Sequence, residues 1–256
     1  MYGSAGGLRE LRPAVLAARG FAVLSLAFFG YEDLVPDLTH QLDTAYFQEA
    51  VDFVLHHKKV IKNGVGVMGF SKAGDIVLSL GADIPEVKAV ISLNGCVSNI
   101  FGSMRFKDGS VIEGLYGDNS RILITPEGAG DGTHLVNNPL DYPKTIIPIE
   151  KIKCKVLWFT SLDDKNFRGT EMVQIIKQLL RERNPEALEK YWEFMEGPNA
   201  GHVIEPPYLP YTSASYHRLV NGVMIWGGSA VDHSIAEVKL WKRIQEVLRQ
   251  ELIPAE

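Results

Sequence analysis

The stretch Gly64-Val65-Gly66-Val67-Met68-Gly69-Phe70-Ser71-Lys72-Ala73-Gly74-Asp75 restricts the fold more than any other part of this sequence. Its first half is a short apolar run between glycines, which reads as a buried strand of a parallel sheet. A Gly-x-Ser-x-small-Gly turn follows, and Ile76 to Leu80 continues with helical spacing. Strand, sharp turn and helix in that order form the context of a nucleophile elbow, where a serine sits in strained backbone. Strand and helix nearly touch at such a turn, so small residues are needed two positions to either side of the serine. Gly69 meets that need fully, and Ala73 meets it with one extra methyl where glycine is usual. A Gly-rich turn with an incidental serine gives the same pentapeptide, so the rest of the chain has to decide.

Around this stretch the chain alternates strand and helix. Leu8, Leu11, Val15 and Leu16 mark one face of a short helix, with Pro13 early in it and Gly20 closing it. Phe21 to Phe29 is almost continuously apolar and predicts a central strand. Thr44 to His57 predicts a helix with Ala45, Phe47, Val51, Val54 and Leu55 inward. Buried strands are expected at Val87–Leu93, Val156–Thr160 and Tyr191–Met195. Amphipathic helices are expected at Thr170–Arg183 and Ser234–Leu252, the latter with Val238, Trp241, Ile244, Val247 and Leu248 on one face. Repeated strand–helix units predict an α/β domain, a mostly parallel sheet flanked by helices, over residues 1–256. Residues 95–150 break the rhythm. They are rich in glycine and proline, and a structureless loop of that length is improbable in a compact domain. They read as an insertion, a cap or lid with short elements of its own, which should cover Ser71 and help form a substrate pocket.

A serine hydroxyl becomes a nucleophile only beside a base, and the base needs a carboxylate to orient it. On α/β-hydrolase scaffolds the three arrive in the order Ser, Asp, His, each past a strand. Ser71, Asp164 and His202 follow the strands at 64–69, 156–160 and 191–195 in that order. Asp163 is the alternative carboxylate, and either aspartate could instead cap the next helix. His202 could equally be a loop histidine bonded to backbone. His56 and His57 end a helix, and His134, His217 and His233 follow no convincing strand. A tetrahedral oxyanion needs fixed N–H donors. The backbone N–H of Lys72 is one; the other is expected from the loop Gly3-Ser4-Ala5-Gly6-Gly7, with Gly6 as the chosen residue. The Lys72 side chain reads as a surface lysine at a helix start, with attraction of an anionic substrate as the alternative.

Composition narrows the classes. Net charge is −5 without a basic stripe, which argues against nucleic acid as a partner. No apolar run approaches the ~20 residues that a transmembrane helix needs. No signal peptide opens the sequence, and Pro254-Ala255-Glu256 is not a Ser-Lys-Leu-type address. Cys96 and Cys154, the 2 cysteines, read as buried structural thiols in a reducing compartment, the cytosol being the expected one. No clustered ligands suggest a metal.

Four blocks carry a more specific signal: Gly-Phe-Ser-Lys-Ala-Gly-Asp, Ser-Leu-Asp-Asp-Lys-Asn-Phe, Gly-His-Val-Ile-Glu-Pro-Pro-Tyr and Ile-Trp-Gly-Gly. They resemble the C-terminal catalytic domain of the acyl-CoA thioesterase / bile acid-CoA:amino acid N-acyltransferase family, from Met1 to about Gln250. The resemblance implies an α/β-hydrolase fold with Ser71 as nucleophile, Asp164 as acid and His202 as base. It implies an acyl-CoA substrate, hydrolysed to fatty acid and CoA through an acyl-serine, with no cofactor beyond the CoA of the substrate. Transfer of the acyl group to glycine or taurine is the alternative; family members that conjugate carry cysteine at the nucleophile, so Ser71 leans toward hydrolysis. Family members also have an N-terminal β-sandwich domain and further strands ahead of the Gly-rich loop. The resemblance therefore implies an N-terminally truncated domain, lacking the strand that would lie between Phe21–Phe29 and Gly64–Gly69. A catalytically inactive acyl-CoA- or lipid-binding form is the reading from another class.

Overall fold

The computed structural model describes residues 1–254. Ala255 and Glu256, the end of the tripeptide read above for a peroxisomal address, lie outside the described residues. Four parallel strands, β1 (Val65–Phe70), β2 (Val87–Leu93), β3 (Lys155–Ser161) and β4 (Trp192–Gly197), form a sheet in the order β1-β2-β3-β4. All pairings are parallel, with Phe70 opposite Leu93, Leu93 opposite Phe159 and Phe159 opposite Met195. Alternation of side chains sends Val90, Val156 and Trp158 to one face and Ala89, Ile91, Leu157 and Phe159 to the other.

Helices cover both faces, so the strands can be apolar almost throughout. On the first face lie α2 (Thr44–His56), α3 (Lys72–Asp83) and α4 (Gly169–Arg183), which bury Phe47, Ile76 and Ile176. On the second lie α1 (Leu11–Ala17) and α6 (Ala230–Leu252), which bury Leu16, Leu240, Trp241 and Ile244. Val238, assigned above to the inner face of α6, is 45% exposed, and Ala236 and Leu240 take that face instead. A short helix α5 (Pro185–Tyr191) precedes β4, with Asn184 capping it through Ala187 N–H.

Phe21–Phe29 is not a strand. The segment runs extended but joins no ladder, and Val23 and Leu24 are about 40% exposed (38% and 40%). Its bonds are scattered and none belongs to a ladder: Phe21 N–H donates to Leu16 O, Ser25 Oγ–H to Arg9 O, Tyr46 Oη–H to Ala27 O, and Gly7 N–H to Phe29 O. Apolarity alone does not make a strand, which needs a neighbour within about 4.8 Å. Between this segment and β1 lies a groove of about 930 Å³ instead, lined by Phe21, Val23, Leu24, Val65, Val67 and Leu252. One backbone bond reaches the β1 side of it, from the Met1 ammonium to Met68 O at 2.8 Å. Burial first, then the Arg12 guanidinium, lowers the pKa of that ammonium to about 5.

Residues 95–150 are built of small pieces. Met104–Arg105 and Val111–Ile112 pair with each other, and Met104–Arg105 also with Leu42–Asp43. Leu123–Ile124 and Gly130–Asp131 pair, and the latter adds to a hairpin that sequence reading missed, β5 (Ala214–His217) with β6 (Gly222–Ile225). Four single 3₁₀ turns between Asn119 and Lys151 complete the segment.

Candidate active site

Ser71 stands between the last residue of β1 and the first of α3, at φ +54° and ψ −122°. Few non-glycine residues adopt that backbone, and the local crowding explains why it persists. A Cβ on Gly69 would come within 1.9 Å of Ala73 O, so strand and helix are in contact across the turn. Ala73 itself is fully buried, and its extra methyl is accommodated.

The three triad candidates converge. Ser71 Oγ lies 3.0 Å from His202 Nε2, and His202 Nδ1 lies 2.7 Å from Asp164 Oδ2. Their exposures are 7%, 4% and 6%, so the chain of hydrogen bonds is shielded from bulk water. The rings of Phe70, Phe167 and Trp226 surround the imidazole, with centroids 5.0, 5.5 and 5.9 Å away. Asp164 Oδ1 accepts N–H bonds from Asn166 and Phe167, which fixes its second oxygen on the histidine.

Asp163 faces elsewhere. Its carboxylate accepts from Gly228 N–H at 2.7 Å and pairs with Lys165 at 2.7 Å. Partial burial pushes its pKa up, but Lys165 and the Gly228 N–H outweigh that and hold it below the usual carboxylate range. Between the two aspartates, geometry selects Asp164.

The histidine loop has supports that sequence reading missed. Asn94, at the end of β2 with φ +47°, donates to His202 O at 2.7 Å while its Oδ1 accepts Ser161 N–H. Gly201 N–H donates to His233 Nδ1 at 3.0 Å, and His202 N–H to Trp226 O at 2.7 Å. The Asn94-Gly95 step after a strand is the one trace of Asn94 in the sequence; nothing in the spacing marks His233.

The expectations for Gly6 and for the Lys72 side chain are revised. Gly6 N–H donates to Gly3 O, closing a turn, so it does not point at the serine. Gly3 instead presses on Ser71: a Cβ there would sit 2.8 Å from Ser71 Cβ. Among the described residues, the N–H groups of Gly3, Ser4 and Lys72 have no acceptor. The Lys72 side chain is not on the surface. It is 1% exposed, with Nζ 3.0 Å from Asp75 Oδ2 and 2.9 Å from Asn99 Oδ1. Burial pushes the lysine's pKa down and raises that of Asp75 to about 6, each opposed by the other's charge. The pair anchors α3 to the segment after β2, since Asp75 also accepts Ile100 N–H. Cys96 and Cys154 are buried free thiols, pushed up to about 12 by burial. Among the described residues no group of three His, Cys, Asp or Glu side chains could hold a metal ion.

The sequence family described as BAAT / Acyl-CoA thioester hydrolase C terminal matches residues 42–254. The chain belongs to that family. Ser71, Asp164 and His202 all fall inside the matched stretch, while the Gly3–Gly7 loop precedes it. Human acyl-coenzyme A thioesterase 1 is 36% identical over 98% of this chain and 59% of its own length. Human mitochondrial acyl-coenzyme A thioesterase 2 is 35% identical over 98% of this chain and 51% of its own. Mouse bile acid-CoA:amino acid N-acyltransferase is 33% identical over 99% and 59%. The chain thus spans between half and three-fifths of the length of these curated relatives. Among solved structures, a dienelactone hydrolase-like phosphotriesterase from metagenomic libraries superposes with a TM-score of 0.53 at 16% identity, over 96% of this chain and 84% of its own. An esterase from Pyrococcus furiosus gives 0.53 at 13% identity, over 98% and 81%. Both likenesses are of fold, and the fold is the α/β-hydrolase one expected from the strand–helix order. No helix among the described residues is long and apolar enough to cross a membrane.

Proposed function

We propose that this chain hydrolyses acyl-CoA thioesters to free acid and CoA, with Ser71 as nucleophile, His202 as general base and Asp164 as its orienting carboxylate. The observation that carries the reading is the hydrogen-bonded chain Ser71–His202–Asp164 at an elbow with positive φ. The names of the thioesterase relatives support the substrate class. His202 Nε2 takes the Ser71 proton as Oγ attacks the thioester carbonyl. Negative charge on the former carbonyl oxygen is met by the Lys72 N–H and by an N–H of the Gly3–Ser4 turn. The carbon–sulfur bond breaks, His202 passes the proton it took from Ser71 to the leaving sulfur, and CoA departs as the thiol, which leaves His202 neutral. Water then gives a proton to His202 and attacks the acyl-serine; collapse releases the acid and returns the proton to Ser71 Oγ. Residues 95–150 act as the cap that forms the acyl pocket, supported by the pairing of Gly130–Asp131 with β6, next to Trp226. Transfer to an amine instead of water is the second reading, supported by the N-acyltransferase relative; the serine at position 71 favours water.

The test is release of free CoA from palmitoyl-CoA, followed with a thiol-trapping dye. Ser71→Ala is expected to lower kcat by at least about 10³-fold with an unchanged melting temperature. Retention of a tenth of the activity would remove Ser71 from the reaction.

A further inference from the structure

His217 was set aside in the sequence because no convincing strand precedes it, yet the hairpin brings it to the site. It ends β5, and its Nε2 shares a hydrogen bond with Ser4 Oγ at 3.0 Å, across 213 residues of sequence. Its Nδ1 is buried and has no partner. Trp226 stands between the two histidines, its ring 5.9 Å from His202 and 5.9 Å from His217. The indole is itself fixed, with Nε1 donating to Ser215 Oγ two residues before His217. Burial, and then the facing His202, lower the pKa of His217, so the ring acts as a neutral hydrogen-bonding partner.

What His217 holds decides its meaning. Ser4 follows Gly3, the residue in contact with Ser71, and both carry N–H groups with no acceptor among the described residues. The turn containing them has weak support of its own. One internal bond closes it, Gly6 N–H to Gly3 O at 3.3 Å, and Gly7 N–H to Phe29 O at 3.2 Å ties its end to the segment that joins no ladder. The Ser4–His217 bond is the side-chain link from this turn to the hairpin.

We propose that His217 is a positioning residue which, by holding Ser4, sets the second oxyanion donor against Ser71. The assignment rests on the proposed role of Ser71. A donor displaced by about 1 Å loses on the order of 10²-fold in rate, because its strength is realised only when charge develops on the oxygen. A pinning role therefore shows in kcat and not in substrate affinity.

The experiment measures kcat and KM for palmitoyl-CoA hydrolysis in H217A, S4A and the double variant, together with the affinity of a trifluoromethyl ketone analogue and of an unreactive thioether analogue of the substrate. The single variants are expected to lose roughly 10–100-fold in kcat, with KM within about twofold. Affinity for the ketone, which forms an oxyanion on Ser71, should fall in parallel, and affinity for the thioether should not. The double variant should be no worse than the poorer single one, because both changes break one link. Ser4→Thr, which keeps the hydroxyl, should recover most of the loss. Unchanged kcat in both single variants, a loss that appears only in KM, or losses that multiply in the double variant would overturn the proposal. If H217A melts early, S4A carries the test alone, since it removes one half-exposed hydroxyl. An active Ser71→Ala variant would refute the reading of Ser71; an inactive one beside a fully active H217A would refute the role of His217 alone.

Discussion

The site draws on two halves of the scaffold that are finished to different degrees. Ser71, Asp164 and His202 hang from β1, β3 and β4, which with β2 form one parallel sheet whose β1–β2 ladder shifts register between Val65 and Gly66. The site residues of this half are firmly held: Asp164 has three partners and the backbone of His202 is held by Asn94 and Trp226. The Gly3–Gly7 turn hangs from the other half, where the outer side of β1 meets a groove and receives one bond, from Met1. The difference matters because, in the proposed reaction, the two halves supply different parts. The closed half would fix nucleophile and base; the open half would have to fix a donor that faces the oxyanion. β1 is also unlike a strand meant for an edge. It carries Val65, Gly66, Val67 and Met68 toward the groove, with neither charge nor proline to protect it. At the opposite edge, β4 presents Glu193 and Glu196, and Glu193 is held by Arg243 and Lys155.

The closed half breaks most sharply at its carboxylate. Asp164→Asn should lower kcat by about 10³–10⁴-fold, since an amide leaves the imidazole in the wrong tautomer without changing its shape. Asp163→Asn should stay within about threefold, because that side chain faces Gly228 and Lys165. Steady-state rates of the pair on palmitoyl-CoA check this. The reverse result would mean that the closed half does not hold the reaction as its hydrogen bonds suggest.

The same contrast marks what could be read in the sequence. Ser71, Asp164 and His202 were legible because each sits just past a buried strand, and buried strands leave an apolar run. Asp163 and Asp164 were not separable, since neighbouring carboxylates differ only in where the turn points them. Lys72 was misread because a lysine at a helix start is usually solvated; its partner Asn99 lies 27 residues on, in a segment without periodicity. His217 was invisible because β5 and β6 are 4 residues each and alternate poorly. Phe21–Phe29 was apolar enough for a strand, but pairing is a property of two segments, and one sequence window shows only one of them.

The open half should respond to closure. A strand of about five or six apolar residues fused ahead of Met1 would run parallel to β1, because Met1 already bonds Met68 and Gly3 lies at the level of Ser71. About five ladder bonds at about 1 kcal/mol net each accompany apolar burial that offsets the cost of ordering the segment. At roughly 2–4 °C per kcal/mol for a chain of this size, melting temperature should rise by about 10 °C, and kcat several-fold as the Gly3–Gly7 turn gains an anchor. Thermal melting and palmitoyl-CoA turnover of the two proteins decide it. Equal values in both would mean that the β1 edge is complete as it stands.

The smallest effect belongs to the opposite edge, where the comparison predicts that charge does the work of a missing neighbour. Arg243 donates from Nε and Nη2 to the two oxygens of Glu193, at 2.7 and 2.9 Å, and Lys155 pairs with the same carboxylate at 2.7 Å. Hydrogen bonds from Arg243, then the Lys155 contact, outweigh partial burial and lower the pKa of Glu193 to about 2. A folded value below the ordinary one means stabilisation that is present in full above about pH 4.5 and is lost as pH falls through about 2. The group is partly exposed and screened by solvent, so its contribution at pH 7 should be about 1 kcal/mol. Glu193→Gln should therefore lower the urea midpoint at pH 7, and the gap to the wild-type chain should narrow steadily from pH 4.5 downward. A gap that holds constant to pH 3 would show that Glu193 contributes through packing alone, and that charge does not protect this edge.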